Sequence, residues 1–249
     1  MPLQTGRQGM KNQFVGDLND YYKYGLLRVL SGCGEKEIGV CWMLTPNGGK
    51  IGYLQKPSEW RTYDKDVFDA LKKIVLEDKT RHVKKIEKVG ILPPSCKFFG
   101  GEKHVENNLG QRGDYFNEML QKLSGVDLIF FDPDVGLVPP RAASKPQRQN
   151  KWLYYDELGK AYAKGHSILV IQFWIGRKLA AVKQKIRQIR KVTGCPEVRS
   201  FLAGNVEFFL VPQQTECNYF SQRAIAVKER WGDRIKVTLY RPRGADIVL

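Results

Sequence analysis

The chain has 249 residues, 42% of them hydrophobic and 11% aromatic, enough to bury an ordinary core and too ordinary for a disordered or fibrous protein. No apolar run approaches the roughly 20 residues that cross a bilayer, and Met1 to Lys11 lacks the apolar centre of a secretory signal, so a cytoplasmic protein without membrane contact is expected. Lys and Arg number 41 against 26 Asp and Glu, and the resulting charge of +15 attracts polyanions, of which nucleic acid is the commonest in that compartment.

In chain order, Asp17 and Asn19 suit a helix N-cap, and Tyr21, Tyr22, Leu26, Leu27, Val29 and Leu30 recur at helical spacing until Gly32 and Gly34. Ile38 to Leu44 reads as a buried strand broken by Thr45-Pro46-Asn47-Gly48-Gly49, with Ile51 to Leu54 a candidate second strand. Val67, Phe68, Leu71, Ile74 and Val75 form a helical stripe that Val83, Ile86 and Val89 extend, ending before Pro93-Pro94. Lys97 to Phe99 reads as a strand and Gly113 to Ser124 as a helix. Leu128 to Phe131 is then a strand whose four bulky residues require cover on both faces. Leu153 to Lys164 reads as a helix closed by Gly165, and Ser167 to Phe173 as a buried strand. Leu179, Ala180, Val182, Ile186, Ile189 and Val192 make one helical face, with Lys183, Lys185, Arg187, Arg190 and Lys191 assigned to the other. Val206 to Val211 and Ala224 to Lys228 read as strands, with Ile235 to Tyr240 a further candidate. The fold class expected is α/β: a Rossmann-like open sheet, mostly parallel, with helices on both faces and a C-terminal antiparallel hairpin. No linker or repeat divides it, so 1–249 is read as one domain.

The most informative stretch is Asp127 to Leu137, DLIFFDPDVGL, in which the buried strand stops at Asp132-Pro133-Asp134 and then Gly136. In open α/β sheets such a C-terminal lip is where ligands bind. Basic residues follow it without acidic neighbours, at Arg141, Lys145, Arg148 and Lys151, and recur from Arg177 to Lys191, including Lys183 and Arg187. These six named positions are the expected nucleic-acid contacts, with RNA and DNA equally open. Trp152, Tyr154, Tyr155 and Phe173 are candidate surfaces for stacking a base, against core packing as the plainer alternative. Gln172 is a candidate polar pocket group. Of the three histidines, only His166 is placed to approach the lip. Cys33, Cys41, Cys96, Cys195 and Cys217 are odd in number and scattered, and read as reduced thiols.

From Asp132-Pro133 onward the chain resembles the class I S-adenosylmethionine-dependent methyltransferase fold, whose corresponding strand ends in Asp-Pro-Pro-Tyr in enzymes that methylate exocyclic amino groups of bases. The nearest characterised resemblance is to the large-subunit ribosomal RNA adenine methyltransferase family, through GDLNDYYKYGLLRVL near the start and QRGDYFNEMLQKL before the signature strand. FVGD, DYYKYGLLR and DPDVGL together look still more like a group of uncharacterised bacterial and phage proteins, over nearly the whole chain. The resemblance implies S-adenosylmethionine as cofactor, held by Lys23, Tyr24, Asn47, Gly48, Glu102 and Asp114, and Asp132, Pro133 and Asp134 as the catalytic lip. This chain departs from the pattern at Asp134, where the methyltransferases have Pro, at Val135, where they have an aromatic, and at Tyr24, where the family has His.

Three readings follow. In the first, Asp132 and the Pro133 carbonyl orient a target amino group for methylation. In the second, Asp17, Asp20, Asp132 and Asp134 hold a magnesium ion in a nuclease or other phosphoryl-transfer enzyme. In the third, the chain is a nucleic-acid-binding module that keeps the scaffold without the chemistry.

Overall fold

The computed structural model describes residues 15–43, 52–79, 81–101, 103, 105, 109–139, 149–174, 176–242 and 246–248. Helix α1 (Leu18–Leu30) starts where its cap signals place it: Asp17 accepts from the Asp20 amide at 2.9 Å, and Asp20 in turn accepts from the Gly16 amide at 2.9 Å. It is buried nearly all round. Such a helix is an internal strut, and Gly25 permits this, because a Cβ there would lie 2.2 Å from the Trp231 ring. Strand β1 (Ile38–Met43) follows. Next come a 3₁₀ turn (Gly52–Gln55), α2 (Pro57–Trp60), α3 (Lys65–Lys72) with a π-helical extension to Glu77, α4 (Val83–Lys88) and β2 (Lys97–Phe99).

Helix α5 (Leu109–Lys122) leads to β3 (Leu128–Pro133), and two short strands, β4 (Gly136–Leu137) and β5 (Trp152–Leu153), pair beside it. The remainder is α6 (Tyr155–Ala163), β6 (Ser167–Phe173), α7 (Leu179–Thr193), β7 (Val198–Ala203), β8 (Val206–Val211), α8 (Cys217–Trp231), β9 (Lys236–Tyr240) and β10 (Ile247–Val248). The main sheet has eight strands in the order β10-β9-β7-β8-β6-β3-β1-β2. Pairing is parallel from β2 to β6 and antiparallel beyond, so that only β8 and β9 run against the other six. This is the Rossmann-like α/β architecture, with β3 central and helices on both faces.

The period of two in β3 sorts its side chains between two cores. Leu128 and Phe130 join the core under α1, α3 and α8, whereas Ile129 and Phe131 join that under α5, α6 and α7. Asp132 therefore belongs to the α1 face.

Several expectations need correction. Ala224 to Lys228 lies within α8, where Phe220, Ala224, Val227 and Trp231 are buried at helical spacing and Ile225 is exposed. Residues 52–54 form the 3₁₀ turn, and Ile51 lies outside the described residues. The long helix from Val67 divides at Asp78 and Lys79, whose φ of +51° stops the π turn before α4 begins. Leu153 belongs to β5 and not to the following helix. Strand β7 was not expected from VRSFLA. His166 precedes β6 at its N-terminal end, with Nδ1 2.7 Å from the Val126 carbonyl, and so sits at the end of the sheet away from the lip.

Candidate active site at the end of β3

Asp132 and Lys23 stand 109 residues apart in sequence and meet at the lip: Lys23 Nζ donates to Asp132 Oδ2 at 2.8 Å and to Asp20 Oδ1 at 3.1 Å. Lys23 reaches them because it lies one turn into α1 on the side that faces the end of β3, with Asp20 three residues behind it on the same face. All three side chains are nearly buried, at 8, 5 and 11% exposed for Lys23, Asp20 and Asp132. Such partners offset the cost of burying the cation. Burial by itself pulls the Lys23 ammonium down, yet the charges of Asp132, Asp20 and Asp17 outweigh it and hold Lys23 above the ordinary lysine range.

Asp132 and Asp17 are displaced upward. Burial raises Asp132 against the opposing pull of Lys23, and burial with the neighbouring Asp20 charge pushes Asp17 up to about 7. Among the described residues Lys23 is the only hydrogen-bond partner of Asp132, and it engages Oδ2, so Oδ1 is still an available acceptor. Beside this cluster lie Tyr24 and Trp42, packed edge to face at 6.3 Å, with Trp42 directly across from Asp132 in the β1–β3 register. The Tyr24 hydroxyl and the Trp42 indole nitrogen are buried and have no hydrogen-bond partner among the described residues. Two orphaned polar atoms next to a half-engaged carboxylate are the arrangement a polar ligand would complete.

Asp134 faces elsewhere. Its Oδ2 accepts from Lys151 Nζ at 2.5 Å, so the lysine read as a nucleic-acid contact instead ties the residues after β3 to the start of β5. The acids expected to share a metal ion are thus divided, with the Lys23 ammonium between Asp20 and Asp132, and Asp134 on its own lysine. Among the described residues no group of three or more His, Cys, Asp or Glu is arranged to hold a metal ion.

Gln172 fixes the turn that follows. Its Oε1 accepts from the Leu137 amide at 3.0 Å, and its Nε2 donates to the Val135 and Phe173 carbonyls at 3.0 and 2.7 Å. This contact requires Gly136, at φ +126°, since a Cβ there would lie 2.5 Å from the Gln172 amide oxygen. Gln172 is therefore the clamp of the DPDVG turn.

Of the other expected residues, Asp114 is exposed on α5. Lys183 is exposed and paired to Asp246 at 2.9 Å, and Arg187 is exposed on α7. Asn47, Gly48, Glu102, Arg141, Lys145 and Arg148 lie outside the described residues. Lys185, assigned to the outer face of α7, is turned inward, only 8% exposed. Its place between Val182 and Ile189, at i+3 and i−4, is the core spacing, so the sequence carried that signal. Two ionic anchors also went unread: Arg112 grips Glu157 with Nε and Nη2 at 2.5 and 2.8 Å, and Arg177 grips the fully buried Glu207, which also accepts from the Trp174 indole at 3.0 Å. Tyr154 stacks under Arg112, whereas Trp152, Tyr155 and Phe173 line a cavity beside Val135.

No protein-family model matches the chain, and no curated protein matches it either. Among solved structures it is similar to protein LPL1258 of Legionella pneumophila, a DUF519 protein, at 13% identity over 92% of this chain and 97% of that one, with a TM-score of 0.47. It is also similar to human methyltransferase-like protein 13 in complex with SAH, at 15% identity over 92% and 93% of the two chains, with a TM-score of 0.33. No helix among the described residues is long and apolar enough to cross a membrane.

Proposed function

We propose that this chain is an S-adenosylmethionine-dependent methyltransferase acting on an exocyclic amino group of a nucleic-acid base, with the whole of 1–249 forming one catalytic unit. The observation that carries the reading is the Lys23–Asp132 pair: two residues that the family resemblance singles out separately, at opposite ends of the sequence pattern, are joined at 2.8 Å at the lip of the central strand.

In this reading Lys23 keeps Asp132 ionised in spite of its burial. Asp132 Oδ1 accepts one hydrogen of the target amino group, and the Pro133 carbonyl accepts the other. The nitrogen lone pair is thereby directed at the donor, and the acceleration is one of positioning. The cofactor supplies an electrophilic methyl group. The Tyr24 hydroxyl and the Trp42 indole are unspent and fit a polar ligand over the ends of β1 and β3. Asp114, Asn47, Gly48 and Glu102 are the further residues that the resemblance offers to it. The Gln172 clamp keeps the lip rigid. The +15 charge gives the polyanion affinity, with Arg141, Lys145, Arg148, Lys183 and Arg187 as contacts and Lys151 committed to Asp134.

Titration calorimetry with S-adenosylmethionine tests the cofactor half of the proposal. Saturable heat that Tyr24→Phe weakens supports it. No heat at millimolar cofactor, together with salt-dependent nucleic-acid binding that Asp132→Asn leaves intact, would instead identify a binding module.

A further inference from the structure

A second buried lysine lies on the opposite face of the sheet. Lys185 projects from α7 between Val182 and Ile186 into the core beneath α5, α6 and α7, and its Nζ makes one hydrogen bond, to the Leu137 carbonyl at 2.7 Å. No carboxylate among the described residues pairs with it. Burial pulls its ammonium down to about 8. An uncompensated cation in such a place is costly, and helix interiors accept a methionine there with little strain. Its position is therefore not one that packing alone would select.

What surrounds the amine points to a ligand. Lys185 lines a cavity of about 280 Å³ whose walls include the half-buried Trp152, Tyr155 and Trp174, with Val135, Pro139 and Gln172 beside them. The Trp174 ring lies 5.9 Å from Nζ, and its indole nitrogen is held by Glu207, which fixes the wall. Small-molecule pockets run from about 300 to 1,000 Å³, so this one is at the small end of that range. Flat aromatic walls select a flat guest, and a buried ammonium without a counter-charge selects an anion.

We propose that this cavity is a binding site for a small planar aromatic carboxylate, whose ring lies among Trp152, Tyr155 and Trp174 and whose carboxylate pairs with Lys185. The site is separate from the Lys23–Asp132 cluster and does not depend on the methyl-transfer reading.

Two of the walls are tryptophans, so occupancy is readable by quenching of intrinsic fluorescence in the full-length protein. The probes are benzoate, nicotinate and indole-3-carboxylate, with benzamide and nicotinamide as uncharged counterparts and uridine, cytidine and adenosine as base-bearing competitors. At least one acid is expected to quench saturably and to bind tenfold or more tightly than its amide. Lys185→Met should abolish that preference while leaving amide binding unchanged. The acid-against-amide comparison is made on the wild-type protein and needs no folded variant. Equal affinity for acid and amide, tighter binding of the nucleosides, retention of the preference in Lys185→Met, or no saturable binding of any acid in the set would each overturn the proposal. Calorimetric binding of S-adenosylmethionine by the same preparation keeps failure here distinct from failure of the methyltransferase reading.

Discussion

Lys23 and Lys185 are 7 and 8% exposed, on opposite faces of one sheet, yet their ammonium groups are displaced in opposite directions. Lys23 has Asp132 and Asp20 within hydrogen-bond reach, with Asp17 close behind, while Lys185 has a backbone carbonyl. Burial is common to both, so partners decide the outcome. The first lysine is part of a compensated ionic network that organises the lip, and the second is a charge without a carboxylate partner among the described residues, beside a cavity walled partly by aromatic rings. Where the fold tolerates an uncancelled desolvation cost, a ligand is the natural complement.

Removing the charge should therefore have opposite consequences at the two places. Lys23→Met strands Asp20 and Asp132 as buried, unpaired carboxylates, and a broken buried pair costs about 3–5 kcal/mol. Urea denaturation should show a loss of that order, and adding Asp132→Asn should recover part of it, since the second change removes a stranded charge. Recovery would be absent if the two residues did not interact in solution.

Lys185→Met should do the reverse and raise the melting temperature at pH 7. A base whose folded pKa, about 8, lies below its unfolded value near 10.5 binds fewer protons when folded, so wild-type stability rises as pH increases from 8 to 10.5. That rise is on the order of 3 kcal/mol at about 1.36 kcal/mol per pH unit of displacement. In Lys185→Met the rise should be missing. A variant no more stable at pH 7, with the alkaline rise intact, would show that Lys185 is solvated.

The clamp between the two faces gives a smaller effect. Gln172→Ala leaves the Leu137 amide without its partner, and an unsatisfied buried donor costs about 1–3 kcal/mol. Thermal melts should show the loss, and hydrogen exchange at Leu137 should accelerate with it.

The smallest expected change sharpens the comparison within the acidic cluster. Asp17 is raised to about 7 when folded, so the folded state binds the proton more tightly, and its contribution to stability is complete below about pH 4 and fades as pH rises towards 7. Asp17→Asn keeps a good N-cap and removes this titration. The stability profile between pH 4 and 7 should flatten, by about a kcal/mol once its coupling to Asp20 and Lys23 is shared out. An unchanged profile would assign the acid-side dependence to another group.

Much of the fold was legible because long apolar runs and helical stripes are signals of burial, which is what the sheet and its helices require. Strands β1, β3, β6 and β8 and helices α1, α5 and α7 stand close to where their patterns put them. The failures share a cause. Ala224-Ile225-Ala226-Val227 reads as a strand only if every apolar residue is assumed buried, and in α8 Ile225 is half exposed. Strand β7 was not read because Arg199 and Ser200 interrupt its apolar pattern, although Arg199 is 2% exposed and bonded to Glu197 and Ser221. Of the candidate site, Asp132 and Lys23 were singled out, Lys23 through the resemblance, and the structure brings the two together. The partition of the two acids was not legible, because Asp132 and Asp134 look equivalent in sequence, and only the partners, Lys23 for one and Lys151 for the other, set them apart. Lys185 was misplaced by its charge although its spacing pointed inward.

The central claim is that Asp132, held ionised by Lys23, orients an amino group at the end of β3. The most direct measurement is transfer of radiolabelled methyl from S-adenosylmethionine to protein-free RNA and DNA, comparing the wild-type chain with Asp132→Asn under single-turnover conditions. The account predicts label in the base fraction at a rate that falls at least a hundredfold in the variant, the scale lost when one preorganised polar contact is removed. Equal labelling by the two proteins, or no labelling of either nucleic acid by a wild-type protein that binds the cofactor, would contradict it.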